Sequence, residues 1–250
     1  MRCYFLSLFF LAKKKHEQLL LNEPPIEEPI VVLPENKLPQ FFIQTNGAEI
    51  VDEPKIDAQM TIMVNDVVDY EGAIGIEIRG SSSQAFPKKQ FGFETRDAAN
   101  EDLDVSLLGY PEEEDWILYA PYSDKSLMRN VLIYDLSREI GRYASRAKFV
   151  EVTINDAYNG VYVFLEKLKR DKNRIDINKL KVDENSGDNL TGGYILKVDK
   201  AGGLDEMLYT TYNSIPSAHD PINATDGQKI HFLYDTPDEE DITAEQRVYK

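Results

Sequence analysis

The sequence holds one cysteine, Cys3, three histidines and a single tryptophan in 250 residues. One thiol allows no internal disulfide, and it lies in the N-terminal apolar stretch, so the folded part is disulfide-free in any compartment. His16, His219 and His231 fall outside the strand-like segments, which argues against a histidine-based triad and most histidine-rich zinc sites. Positive charge is scarce too: 28 Lys and Arg stand against 44 Asp and Glu, a net charge of −16. A domain this acidic repels phosphate backbones and anionic lipid, so no nucleic-acid partner is expected. No apolar run reaches the roughly 20 residues of a membrane-spanning helix. What is present is a globular mix, 42% hydrophobic and 29% charged, sufficient for a sizeable core.

Residues 1–22 form a first segment. Its apolar run, residues 3–12, is flanked by Arg2 and by three lysines at 13–15. That length suits a signal-peptide h-region rather than a bilayer span, so the expectation is a secreted or cell-envelope protein with an N-terminal signal or anchor. A buried apolar segment is the alternative, and no further membrane span is expected. Residues 23–39, with five prolines between Pro24 and Pro39 and several glutamates, read as an extended linker. The folded domain is expected over residues 40–250.

That domain is rich in strand patterns. Residues 41–45 run into an Asn46-Gly47 turn. Ile74, Ile76 and Ile78 alternate with Gly75, Glu77 and Arg79, so one face is buried and Arg79 points to the other. After the polar loop Gly80-Ser81-Ser82-Ser83 the alternation resumes at Phe91 and Phe93, a hairpin pattern. A short apolar run at 116–119 precedes a helix expected over residues 125–140, capped by Ser123 or Asp124 and closed by Gly141. Its stripe of Met128, Leu132, Leu136 and Ile140, with Leu127 and Val131 beside it, is the expected packed face. Val150, Val152 and Ile154 begin a second hairpin, with a six-residue loop at 155–160 and a return strand at 161–166. A short helix near 177–180, a strand at 194–199 and the opening of a helix at 243–250 complete the pattern. The fold class is α+β, a mainly antiparallel sheet with one packed helix.

Several local patterns recur in a particular order. They are Arg79-Gly80-Ser81-Ser82-Ser83 with Phe86-Pro87-Lys88-Lys89; Leu107-Leu108-Gly109 before Asp115-Trp116-Ile117-Leu118; and Asp124 with Arg129-Asn130. Then come Asn155, Tyr158-Asn159-Gly160-Val161-Tyr162 and Glu166-Lys167, and finally Gly192-Gly193-Tyr194-Ile195-Leu196-Lys197. Together they resemble the CotH family, the spore-coat protein H type of atypical protein kinase, with Ser82 where the family usually has Asn. The resemblance implies a kinase-like fold, ATP as phosphoryl donor, Mg²⁺ or another divalent cation, and Ser/Thr of protein substrates as acceptors. The signatures H-R-D-x-x-x-x-N, D-F-G and Walker A are missing. The family's Asn-x-Asp and Trp-Asp-x-Asp segments are missing as well, so the catalytic residues are expected beyond residue 250 and the C-terminal lobe is expected to be truncated. A noncatalytic envelope or coat scaffold, or an adhesion protein, with the same fold is the alternative.

Phosphoryl transfer rests on positioning and charge neutralisation, so cations beside a donor-rich loop are the residues to follow. Arg79, Lys88 and Lys89 bracket Ser81, Ser82 and Ser83, and only one of the two lysines can face a cleft. Arg129 either reaches a phosphate or pairs with Asp124. Glu166 ends a strand where a kinase hinge would hold adenine, or pairs with Lys167 or Lys169. The acidic clusters at 101–104 and 183–188 read as solvated loops in so acidic a chain, and no metal site is assigned.

Overall fold

In the computed structural model, residues 37–198, 210–212, 230–237 and 241–248 are described. The expected signal segment and nearly all of the linker lie outside them.

Period-2 alternation builds the core. In β1 (Gln40–Gln44) Phe41 and Ile43 are fully buried. The same spacing buries Ala58, Met60 and Ile62 of β2 (Ile56–Val64), Ile74 and Ile76 of β3 (Val67–Arg79), and Phe91 and Phe93 of β4 (Gln90–Arg96). Trp116 and Leu118 come from β5 (Asp115–Tyr119), Val150 and Val152 from β6 (Ala147–Ile154), and Tyr162 and Phe164 from β7 (Ala157–Glu166). These seven strands close into a barrel in the order β1-β2-β3-β4-β5-β7-β6. Every pairing is antiparallel except β1 with β6, which is parallel. Inward side chains fill the barrel, as in other small closed sheets. The ring of Phe164 lies 5.4 Å from Phe41, 6.3 Å from Phe93, 5.4 Å from Tyr110 and 5.1 Å from Trp116 between centroids. Tyr110 reaches in from the β4–β5 connection, which also buries Leu107 and Leu108.

Two tight turns set the register. Asn65-Asp66 joins β2 to β3, and Asn155-Asp156 joins β6 to β7; all four residues have positive φ, as a two-residue hairpin of the primed type requires. The six-residue loop expected at 155–160 is therefore a two-residue turn, because Asx residues tolerate the left-handed conformation and let the strand begin at Ala157. Asn155 also latches the barrel. Its Oδ1 accepts the Thr45 amide at 2.9 Å, its Nδ2 donates to Thr45 Oγ1 at 2.9 Å, and its own amide bonds the Ile43 carbonyl at 2.9 Å.

The helix α1 (Arg129–Glu139) starts later than expected. Asp124 organises its entry, accepting the Arg129 amide at 2.9 Å through Oδ2 and the Ser126 amide and hydroxyl through Oδ1. The expected packed stripe is on the wrong side: Met128, Leu132, Leu136 and Ile140 are 56%, 63%, 48% and 69% exposed. The barrel wall instead takes Val131 and Tyr134, which pack on Ile117, Val163 and Leu165 with Tyr119, Ala147 and Phe149. Periodicity identifies the apolar face of a helix; the wall it lands on decides which face is covered.

Beyond the barrel, β8 (Ile195–Val198), β9 (Thr210–Tyr212) and β10 (Ile230–Thr236) form a small sheet in the order β8-β10-β9, and a short helix, α2, spans Ala244–Val248. His231, expected outside strands, lies in β10. No helix forms at 177–180: the Ile177 amide closes a short turn onto the Ile175 carbonyl at 3.0 Å, and Leu180 is buried from irregular chain. Among the described residues no helix is long and apolar enough to cross a membrane.

Phe164 anchors the aromatic core, so Phe164→Ala leaves a cavity among four rings. The expected loss is about 3–5 kcal/mol of unfolding free energy, read from denaturant midpoints at unchanged m-value.

Candidate functional site

The barrel has two unlike ends. At one end β3 and β5 finish, β4 begins and the β6–β7 turn folds over. The serine loop lies here. Residues 82–85 form a single 3₁₀ turn, tied by Gln84 Nε2 to the Gly80 carbonyl at 2.6 Å and to Asp52 Oδ1 at 2.8 Å. Phe86 stacks on Tyr122 at 5.1 Å, joining this loop to the chain that leads into α1.

The loop's two lysines are both engaged within the protein. Lys88 Nζ donates to the Val161 carbonyl at 2.6 Å and lies 4.3 Å from the centre of the Tyr162 ring, closing the barrel mouth. Burial there pulls the Lys88 ammonium below its ordinary pKa and pushes the Tyr162 hydroxyl up to about 12. Lys89 Nζ donates to the Gln84 carbonyl at 2.6 Å, bracing the loop that carries it.

Arg79 differs. It is half-buried at the end of β3 on the outer wall, two residues along the same face from Glu77. Burial lowers its guanidinium from the ordinary value, offset in part by Tyr134 of α1 and by Glu77. Among the described residues its side chain has no ion pair or hydrogen bond. Opposite Glu77 in the ladder is Gly92, where a Cβ would lie 3.2 Å from Glu77 Oε1 and 3.9 Å from Arg79 Cδ. The bare backbone of Gly92 thus leaves a floor over which both side chains extend. Beside Glu77 an open depression of about 560 Å³ is lined by Glu53, Pro54, Lys55, Glu77, Glu94 and Arg96. In it Glu94 pairs with Lys55 and, at 2.6 Å, with Arg96; Arg96 also reaches Asp57 at 2.6 Å. Although burial alone would raise it, Glu94 is held below the usual carboxylate range by the hydrogen bonds from Lys55 and Arg96.

Arg129 pairs with Asp124 at 3.1 Å and is otherwise exposed. Hydrogen bonds from Ser126 and from the Arg129 amide hold Asp124 below its usual range.

Glu166 lies at the opposite end of the barrel. Its side chain is fully buried and pairs with Arg146, whose amide also donates to Oε2 at 2.8 Å, while Ser145 Oγ holds the Glu166 carbonyl at 2.9 Å. Neither Lys167 nor Lys169 is its partner: Lys167 bonds Asp115 at 3.1 Å, and Lys169 enters a carboxylate cluster. In that cluster Asp104, Glu113 and Glu114 bring oxygens within 4.8 Å of one another, the spacing of a metal site. The Lys169 ammonium contacts Glu113 and, at 2.6 Å, Glu114, so a cation already neutralises two of the three carboxylates. The guanidinium of Arg174, stacked 5.2 Å from Trp116, covers the buried side of Glu113 at 3.6 Å.

The structure therefore gathers Arg79, Ser81, Ser82, Ser83, Lys88 and Lys89 at one end, links the Arg129 segment to them through Phe86 and Tyr122, and leaves Glu166 apart. The family model described as CotH kinase protein matches residues 76–248, which include all of these positions. The chain belongs to the CotH kinase family. No curated protein matches the sequence. The CotH match covers the serine loop, α1 and the β6–β7 hairpin in one span. Sequence patterns did not single out Glu77, Gly92 or Tyr134. Strand parity carried the signal for Glu77, since it shares the outward face of Arg79.

Removing a buried carboxylate that holds a half-buried guanidinium and a backbone amide costs more than losing a surface pair. Glu166→Ala is expected to lower unfolding free energy by about 3–5 kcal/mol, read by chemical denaturation.

Proposed function

We propose that this CotH-family chain carries the nucleotide-binding part of an atypical protein kinase, exported or envelope-associated, that transfers the ATP γ-phosphate to Ser/Thr of protein substrates. The observation that carries the reading is the guanidinium of Arg79, half-buried and with no ion pair or hydrogen bond among the described residues. In a chain of net charge −16, with 44 acidic residues, a half-buried cation that makes no ion pair or hydrogen bond among the described residues is a candidate site for an anion brought from outside. Its position supports phosphate: the serine loop borders it, and the barrel wall and Tyr134 keep water from one side.

The residues divide the work. Arg79 orients and neutralises phosphate oxygens, and Ser81, Ser82 and Ser83 offer hydroxyl and amide donors beside it. Lys89 shapes the loop through the Gln84 carbonyl, and Lys88 holds the loop's exit against the barrel mouth. A divalent cation in such chemistry neutralises the phosphates. The carboxylates of Asp104, Glu113 and Glu114 do not fit that role, because Lys169 already pairs with two of them, and no step is routed through them.

A noncatalytic scaffold is the second reading, favoured by the internal engagement of both loop lysines and by the exposed apolar stripe of α1. Calorimetry with ATP on the intact protein separates the two. Arg79→Ala is expected to weaken ATP binding by about 10- to 100-fold with an unchanged melting temperature, the loss of one charge-assisted contact. Unchanged affinity in a folded variant excludes Arg79 as a phosphate ligand and leaves the scaffold. Lys88→Ala is expected to lower the melting temperature as well as ATP affinity, since it removes the cap over Tyr162.

A further inference from the structure

Glu77 is the anionic counterpart of Arg79. It is half-buried, desolvation raises its carboxyl above the usual range, and its side chain has no hydrogen bond or ion pair among the described residues. Yet cations surround it. Lys55 is committed to Glu94, Arg96 to Glu94 and Asp57, and Lys167 to Asp115. Each of these cations is bonded to a carboxylate other than Glu77, and among the described residues neither oxygen of Glu77 has a partner.

Its place on the strand gives those oxygens a direction. Residues i and i+2 share a face and stand about 6.6 Å apart along a strand, so Glu77 and Arg79 present an acceptor and an anion-binding fork in one line. Gly92 provides the bare floor beneath both, and the depression lined by Lys55, Glu94 and Arg96 opens beyond Glu77 on the side away from the serine loop. A ligand whose phosphates rest on Arg79 has a path over Glu77 into that depression. The group one short step from the phosphates of a nucleotide is its ribose diol, two hydroxyl donors, and a carboxylate with two free oxygens is the acceptor that matches them.

We propose that Glu77 binds the ribose hydroxyls of the nucleotide held by Arg79, selecting a ribonucleotide over phosphate chains that lack the sugar. The inference rests on the nucleotide reading of the Arg79 site and adds the element that recognises the sugar. Gly92 is then a requirement of the site, because any side chain there would fill the space between the two groups.

Calorimetry on the intact protein with ATP, 2′,3′-dideoxy-ATP and inorganic tripolyphosphate tests it. Wild-type protein is expected to bind ATP at least about tenfold more tightly than dideoxy-ATP. Glu77→Ala should weaken ATP by a similar factor, leave tripolyphosphate unchanged and abolish the preference for the diol; Arg79→Ala should weaken all three ligands. Glu77→Gln, which keeps the shape and one acceptor oxygen, should fall between wild type and Glu77→Ala, and it decides the matter if the alanine variant unfolds. If Arg79→Ala weakens all three ligands while the Glu77 variants bind ATP as wild type does, or if wild type does not distinguish the dideoxy ligand, the ribose role is wrong and the phosphate site stands. If Arg79→Ala changes none of them, or wild type binds none, the nucleotide reading falls together with the ribose role.

Discussion

A closed barrel whose inside is packed with aromatic rings has no interior left for chemistry. Phe164 touches Phe41, Phe93, Tyr110 and Trp116, and aliphatic side chains from the other strands fill what remains. Function is thereby confined to the rims and the outer wall, and the outer wall has to be unusually flat where a ligand or a long side chain lies along it. Glycine meets that need at two points. Gly92 lies beneath Glu77 and Arg79, and Gly75 lies directly beneath the Arg96 guanidinium, 2.3 Å from where a Cβ would be. The core and the candidate site are two results of one packing constraint.

The distribution of cations follows from the same scarcity that marks the composition. Around the rim that carries Glu166, Arg146, Lys169 and Arg174 each neutralise a carboxylate that the fold has partly or wholly desolvated. Such pairs hold geometry more than they add stability, since desolvation offsets most of the Coulomb gain. With these cations engaged in this way, a half-buried arginine that has no ion pair or hydrogen bond among the described residues stands out more than it would in a basic protein.

Much of this was legible in the residue pattern, and the rest fails for identifiable reasons. Isoleucines and phenylalanines at period two announce β3 and β4, Val150, Val152 and Ile154 announce β6, the apolar run at 161–165 announces β7, and the β3 pattern correctly turns Arg79 outward. β2 escaped notice because Ala58 and Met60 are weak strand markers and its turn, Asn65-Asp66, lacks the usual glycine. The buried side of α1 is decided by Ile117, Val163 and Leu165 on distant strands, which no helical window contains. Lys88 and Lys89 precede the first paired residue of β4, so strand parity says nothing about which of them faces the barrel mouth. Barrel closure leaves no local mark either. The family match begins at residue 76, inside β3, although the two preceding strands belong to the same closed sheet.

The parallel seam between β1 and β6 has a consequence in time. Gln40 meets Glu151 across 111 residues of chain, and their side chains touch at 3.4 Å. During synthesis the first strand emerges early and waits for its partner; at roughly 5–20 residues per second that interval is about 6–22 s. Until then β1 has one edge covered by β2 and the other open, the kind of edge on which neighbouring nascent chains add strands. Asn155, which latches Thr45 on arrival, is made at the end of the same interval, so the residue that ends the exposure is synthesised just behind the strand that covers the edge.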